Sequence, residues 1–167
     1  IDISVELTAP NTPGTYRGNW KLRNANAVIF GIGNAGSAFY VEIDVISSVD
    51  FSISFENLHV CSGSVYATVK ITNSGADFLQ SARAKVDDVD DSVVLYGPGS
   101  SNNPFVTTAS GCPPGNSDAD PGETYYIAVD IGVAPPSGHL TRFTLKLCTE
   151  DSLAGTCIEK WVEFEIP

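Results

Sequence analysis

Thr141-Arg142-Phe143-Thr144-Leu145-Lys146-Leu147-Cys148, followed after eight residues by Cys157-Ile158-Glu159-Lys160-Trp161-Val162-Glu163-Phe164-Glu165-Ile166, decides the fold. Both stretches alternate apolar and polar residues with a period of two, which is the signature of strands with one buried face. Phe143, Leu145 and Leu147 share one face, so Cys148 takes the other. On the second strand Val162, Phe164 and Ile166 point inward and Cys157 outward. Setting Cys148 opposite Cys157 puts Lys146 across from Glu159 and Arg142 across from Glu163 on the outer surface. The same register brings Leu147 to Ile158 and Phe143 to Val162 inside. Opposite charges facing each other across strands are mildly favourable. One residue misfits: Lys160 falls opposite Leu145 on the inner face, close enough to an edge for its amine to snorkel out.

Three features agreeing on one register favour a Cys148–Cys157 disulfide, with Cys61–Cys112 following by elimination. Four cysteines allow three connectivities, so the other pairings stay open. The cysteines form no CxxC spacing and only two histidines, His59 and His139, accompany them, so a zinc site is disfavoured. Disulfides place the protein outside a reducing cytosol, in an extracellular or cell-surface setting.

The same alternation extends over most of the 167 residues, and no helical stripe of useful length interrupts it. Ile1, Ile3, Val5 and Leu7 alternate with polar residues; Tyr16, Gly18, Trp20 and Leu22 do so next; then Phe39, Val41, Ile43 and Val45. Ser47-Ser48 is a very short joint, after which Phe51, Ile53 and Phe55 open a new run. A boundary near residue 48 is therefore expected, with modules at 1–47 and 49–167 in a stiff, extended arrangement. The second module continues through Val65–Ile71, Ala82–Val86, Val93–Leu95 and Tyr125–Ile131. Residues 97–121, rich in Gly, Pro, Ser and Asn, read as a long loop broken near Phe105. Short strands with turn signals between them mean an all-β antiparallel sandwich of the immunoglobulin type.

Composition excludes several functions. No stretch approaches the roughly 20 apolar residues needed to cross a bilayer as a helix. A net charge of −11, from 9 basic and 20 acidic residues, repels phosphate backbones and anionic lipid, so nucleic acid and membrane insertion are not expected. The absence of methionine suggests a processed chain or an excised fragment.

Ile1-Asp2-Ile3-Ser4-Val5-Glu6-Leu7-Thr8-Ala9-Pro10, Pro13-Gly14-Thr15-Tyr16-Arg17-Gly18-Asn19-Trp20-Lys21-Leu22-Arg23-Asn24, Phe30-Gly31 and Phe39-Tyr40-Val41-Glu42-Ile43 carry a resemblance. Over about the first 45 residues the chain resembles the C-terminal half of the four-tryptophan immunoglobulin-like domain of autophagy receptors and bacterial surface proteins. The resemblance implies that Tyr16, Trp20 and Phe39 are core residues, and that the family's preceding strands are missing, so that the first module is incomplete. Residues 49–167 more loosely resemble immunoglobulin-like repeats of prokaryotic surface proteins, through Val69-Lys70-Ile71-Thr72-Asn73-Ser74-Gly75 and Pro121-Gly122-Glu123-Thr124. Such repeats serve as spacers, adhesive units or filament subunits.

Three strands cannot bury both faces of a sandwich alone. Ile1, Ile3, Val5, Leu7, Tyr16, Trp20 and Phe39 would then form an open interface, to be covered by the rest of a longer chain, by the second module, or by strands of another copy. The reading is a non-enzymatic structural or adhesive protein, assembling through strand complementation into a surface filament. The alternative is a carbohydrate-binding module of a larger secreted protein. Tyr40, Tyr66, Tyr126 and Trp161 have outward parity and could stack on sugar rings, although packing against a neighbour is favoured. No cofactor is expected. The acidic runs Asp87-Asp88-Val89-Asp90-Asp91 and Asp118/Asp120/Glu123 raise calcium but lack an EF-hand pattern, and a solvated acidic edge is the plainer reading. Gly31-Ile32-Gly33-Asn34-Ala35-Gly36 matches GxGxxG by letter only, since a strand follows it. Neither histidine has an obvious carboxylate partner, so no catalytic base is assigned.

Overall fold

A computed structural model describes residues 4–10, 12–115 and 117–167. The chain is all-β, with strands β1 (Gly14–Trp20), β2 (Leu22–Arg23), β3 (Ile29–Phe30), β4 (Phe39–Val45), β5 (Phe51–Cys61), β6 (Ser64–Asn73), β7 (Ser81–Asp88), β8 (Val93–Asn102), β9 (Thr124–Gly132), β10 (Leu140–Glu150) and β11 (Ala154–Glu165). A single 3-10 turn, Asp151–Leu153, joins β10 to β11. The chain divides into two compact units, residues 1–47 and 48–167.

The second unit is an antiparallel sandwich of immunoglobulin type. One sheet runs β5-β6-β9 and the other β11-β10-β7-β8. The β10–β11 register is the one read from sequence: Arg142 faces Glu163, Phe143 Val162, Leu145 Lys160, Lys146 Glu159, Leu147 Ile158 and Cys148 Cys157. Both disulfides form, Cys148–Cys157 and Cys61–Cys112. Inward side chains of the two sheets meet in one core, in which Val69, Ile71, Leu79, Val86, Phe105, Phe143, Leu145 and Leu147 are fully buried. Phe55 and Phe164 stack between the sheets with ring centroids 3.8 Å apart.

Lys160, the polar residue on the inner face, reaches β5. Its Nζ donates to Asp50 Oδ1 and to the Phe51 carbonyl, both at 2.6 Å, and sits over the Phe51 ring. The lysine thus clips the two sheets together at their edge. On the outer face Arg142 grips Glu163 at 2.6 Å, while Glu159 meets Arg83 at 3.5 Å, two strands away. Both pairs are well exposed and add little stability. Gly75 packs where a Cβ would strike backbone, 2.7 Å from both Asp50 N and Ser48 O, so the β6–β7 turn requires glycine to close on the start of the unit.

The strands and buried faces depart from the sequence reading in three places. Cys148 has outward parity yet is fully buried. The 3-10 turn folds back beside it, with Leu153 N donating to Ser81 Oγ and Ser81 Oγ donating to Glu150 O. Residues 97–102, expected in a loop, belong to β8. An edge strand leaves one side of its backbone unpaired, which is where a sheet tolerates Pro98 and its flanking glycines. In the first unit, Ser4–Pro10 forms no strand; Ile1 and Ile3 lie outside the described residues. Alternation tells which face a residue would take but cannot supply the neighbour that makes a strand.

The first unit is thin. β1 pairs with β4, Tyr16 opposite Ile43 and Trp20 opposite Phe39, and β2 pairs with β3; among the described residues each of these sheets has two strands. The β2–β3 turn is held by Asn24 Oδ1, which accepts from Asn26 N and Val28 N. The GxGxxG segment is the turn between β3 and β4, pinched by Ile32 and Ser37.

Phe143→Ala empties a site with no solvent exposure in the middle of the sandwich. It is expected to lower unfolding stability by about 3–5 kcal/mol, read from the denaturant midpoint at unchanged m-value.

Candidate functional site

The open face of the β1–β4 sheet is the first candidate. Tyr16, Trp20, Phe39, Val41 and Ile43 line one side of it. Trp20 and Val41 are each 38% exposed, while Tyr16 and Phe39 are half-buried rather than core. Val5 and Leu7 border the same groove, about 390 Å³ in volume, and remain 65% and 51% exposed. The other face is charged: Arg17 stands opposite Glu42 and lies over the Tyr40 ring at 3.9 Å, and Thr15 Oγ1 donates to Asp44 Oδ1 at 2.7 Å.

The four aromatics singled out for sugar stacking are not on one surface. Tyr40 belongs to the first unit. Trp161 lies on the outer face of the β11-β10-β7-β8 sheet beside Arg142, 5.1 Å from the ring. Tyr66 and Tyr126 lie on the β5-β6-β9 sheet. Tyr66 borders a cleft of about 330 Å³ together with Tyr96, Ser101, Pro113, Pro114 and Asp130. Burial first, and then the charge and hydrogen bond of Asp130, raise the Tyr66 phenol above its ordinary range.

A strap that the sequence could not reveal crosses the outer face of the β5-β6-β9 sheet. It leaves β8, forms a two-way backbone pair between Val106 and Tyr126, meets Asn57 through the Ala109 carbonyl, and is tied to β5 by Cys61–Cys112. It returns to the core through a second two-way pair, Leu79 with Ala119. Outward-facing Thr68 and Ala128 are buried under cover of this kind. His59 lies beside the disulfide, its Nδ1 3.0 Å from Thr68 Oγ1 and 3.2 Å from Asn57 Oδ1. By the chain-entropy estimate the 51-residue closure contributes about 4 kcal/mol, against about 2.5 kcal/mol for the nine-residue closure of Cys148–Cys157.

The acidic run at 87–91 is not merely a solvated edge, and His139 does have a carboxylate partner. Asp88 is 3% exposed; its Oδ1 accepts from Asp90 N and Asp91 N, and its Oδ2 meets His139 Nδ1 at 3.0 Å. Asp91 lies 3.8 Å from the same nitrogen, and Asp90 Oδ2 accepts from Leu140 N at 2.8 Å. The carboxylates therefore close the β7–β8 turn onto the start of β10. In the second acidic group, Asp118 accepts from Asn103 and Asp120 accepts from the Tyr125 hydroxyl at 2.8 Å.

Together, fold and sites define a disulfide-bonded immunoglobulin-like sandwich joined to a small, open β-unit. No family model and no curated protein matches the chain. Among solved structures it is similar to a β-glucosidase from Kluyveromyces marxianus in complex with glucose (TM-score 0.29, 11% identity, covering 71% of this chain and 15% of that one). It is also similar to β-glucosidase 3B from Thermotoga neapolitana (TM-score 0.27, 10% identity, 84% and 19%). The chain spans less than a fifth of those enzymes, and likeness this faint decides neither fold nor activity. Two disulfides fit a secreted or extracellular protein, and among the described residues no helix is long and apolar enough to cross a membrane.

The His139–Asp88 pair makes stability depend on pH in a defined sense. The hydrogen bond to Asp88 raises His139 above its ordinary 6.5, so its contribution is full below that value and is lost as pH rises through the elevated one. Burial alone would raise Asp88, but His139 and the turn amides outweigh it and hold the carboxyl below 3.8. That contribution is present above 3.8 and lost as pH falls through the lowered value. The melting temperature should therefore be highest between about pH 4 and 6.5, and His139→Gln should flatten the decline on the alkaline side, measured by calorimetry across pH.

Proposed function

We propose that this is a non-enzymatic, extracellular structural or adhesive protein whose first unit is completed by strands from another copy, building a surface filament. The observation that carries the reading is the apolar face of the β1–β4 sheet, exposed at Trp20 and Val41, with Val5 and Leu7 exposed at the border of the same groove. Each large side chain left in water forfeits roughly 1.5–3 kcal/mol. A two-stranded sheet is marginal without a third strand or a second layer, and among the described residues no further strand pairs with either of its edges, which suits them to an incoming strand. A head-to-tail contact of this kind does not close on itself and propagates. On the charged face, a β1 strand added beside β4 would set another arginine at position 17 against Glu42, extending the pairing already present within the chain.

The purified protein is expected to show concentration-dependent oligomers by light scattering and fibres by negative-stain microscopy, with Val41→Glu abolishing both. A monodisperse monomer at high concentration, with Trp20 emission already that of a buried indole in a Trp161→Phe background, would sink the proposal.

A second reading, a carbohydrate-binding module, is favoured by the cleft at Tyr66. It calls for retention on insoluble polysaccharides that Tyr66→Ala weakens at least tenfold. Absence of retention leaves the assembly role.

A further inference from the structure

His59 poses a problem in hydrogen bonding. Asn57 Nδ2 donates to the Ala109 carbonyl at 3.3 Å, so the Asn57 atom facing the imidazole is Oδ1, which can only accept. His59 Nδ1 therefore carries the proton, and the lone pair of the neutral ring sits on Nε2. That atom is buried and has no hydrogen-bond partner. A buried polar atom left unpaired costs about 1–3 kcal/mol and calls for an explanation.

The surroundings supply one. A ring nitrogen of His59 and the sulfurs of Cys61 and Cys112 all lie within 4.8 Å of one another. A histidine whose Nδ1–H is held by an oxygen acceptor, leaving Nε2 free, has the orientation typical of a metal-bound imidazole. Two thiolates and one imidazole suit zinc, with a fourth position open to water. Zn–S of about 2.3 Å and Zn–N of about 2.0–2.1 Å put ligand atoms within about 4 Å of each other, so shifts on the order of 1 Å complete the set. The strap that carries Cys112 is pinned on both sides, at Val106–Tyr126 and at Leu79–Ala119, so cleavage of the sulfur–sulfur bond leaves both cysteines beside the histidine. Cys112 is exposed and Cys61 buried, so a small thiol reaches the bond from the Cys112 side.

We infer that His59, Cys61 and Cys112 form a zinc site gated by the disulfide: closed to metal when the cysteines are bonded, and available when they are reduced. A dithiol reductant passes two electrons and two protons to the Cys61–Cys112 bond and becomes a disulfide itself, leaving two thiols. Binding of Zn²⁺ then displaces the two thiol protons to solvent, and His59 Nε2 contributes its lone pair without releasing a proton. The inference is independent of the assembly proposal, since it involves only the second unit.

The test is titration of the full chain with Co²⁺, a spectroscopic substitute for zinc, before and after reduction with a dithiol that is then removed anaerobically. Expected for the reduced protein is one equivalent of Co²⁺ with thiolate-to-cobalt charge transfer and tetrahedral ligand-field bands, displaced by Zn²⁺. The oxidised protein should show neither band. His59→Ala should weaken the reduced site at least tenfold, and Cys61→Ala/Cys112→Ala should abolish the signal while keeping Cys148 and Cys157. Several results would overturn the inference: no thiolate–cobalt band after reduction, unchanged affinity in His59→Ala, or a signal that survives the double cysteine variant. It also fails if reduction erases the far-UV β signal and zinc does not restore it, because the site depends on the pinned strap.

Discussion

The sandwich depends on the strand register of β10. Because side chains alternate with a period of two, a slip of one residue would turn Phe143, Leu145 and Leu147 out to water and drive Arg142 and Lys146 into the core. β10 is the strand on which this matters most, since it pairs with β11 on one side and β7 on the other. The Cys148–Cys157 bond pins one end of the hairpin and the Arg142–Glu163 pair lies toward the other. Lys160 then converts the one inner-face conflict into a link to the opposite sheet.

What could be read from the sequence followed from how local the governing interaction was. The closing hairpin was legible because cysteines, charges and apolar residues each pointed to one register over a short span. The role of Asp88 was not, because its partner His139 is 51 residues away and only the packing of β7 on β10 joins them. The strap was hidden for a similar reason: Gly, Pro, Ser and Asn mark a chain that turns, and carry no information on what it crosses. β8 was half missed because Gly97-Pro98-Gly99 reads as a turn, although an edge strand accepts such residues. The aromatics Tyr40, Tyr66, Tyr126 and Trp161 had correct outward parity on their own strands, but parity does not say which sheet a strand joins.

The two units solve the burial problem to different degrees. In the second, two sheets cover one another and the apolar residues of their inner faces reach near-zero exposure. In the first, the same alternation of residues produces a sheet with two strands among the described residues, and Trp20 and Val41 stay in contact with water. The contrast does not come from composition, since both segments are rich in aromatic and β-branched residues. It comes from strand number.

The Cys61–Cys112 bond has a mechanical corollary. Tension applied to the two ends of the second unit is carried across this crosslink, whose cysteines lie 51 positions apart in the sequence, and bypasses the segment between them. At roughly 3.3–3.6 Å per extended residue, that withholds on the order of 170–180 Å of slack, so a loaded chain lengthens only by its uncrosslinked remainder.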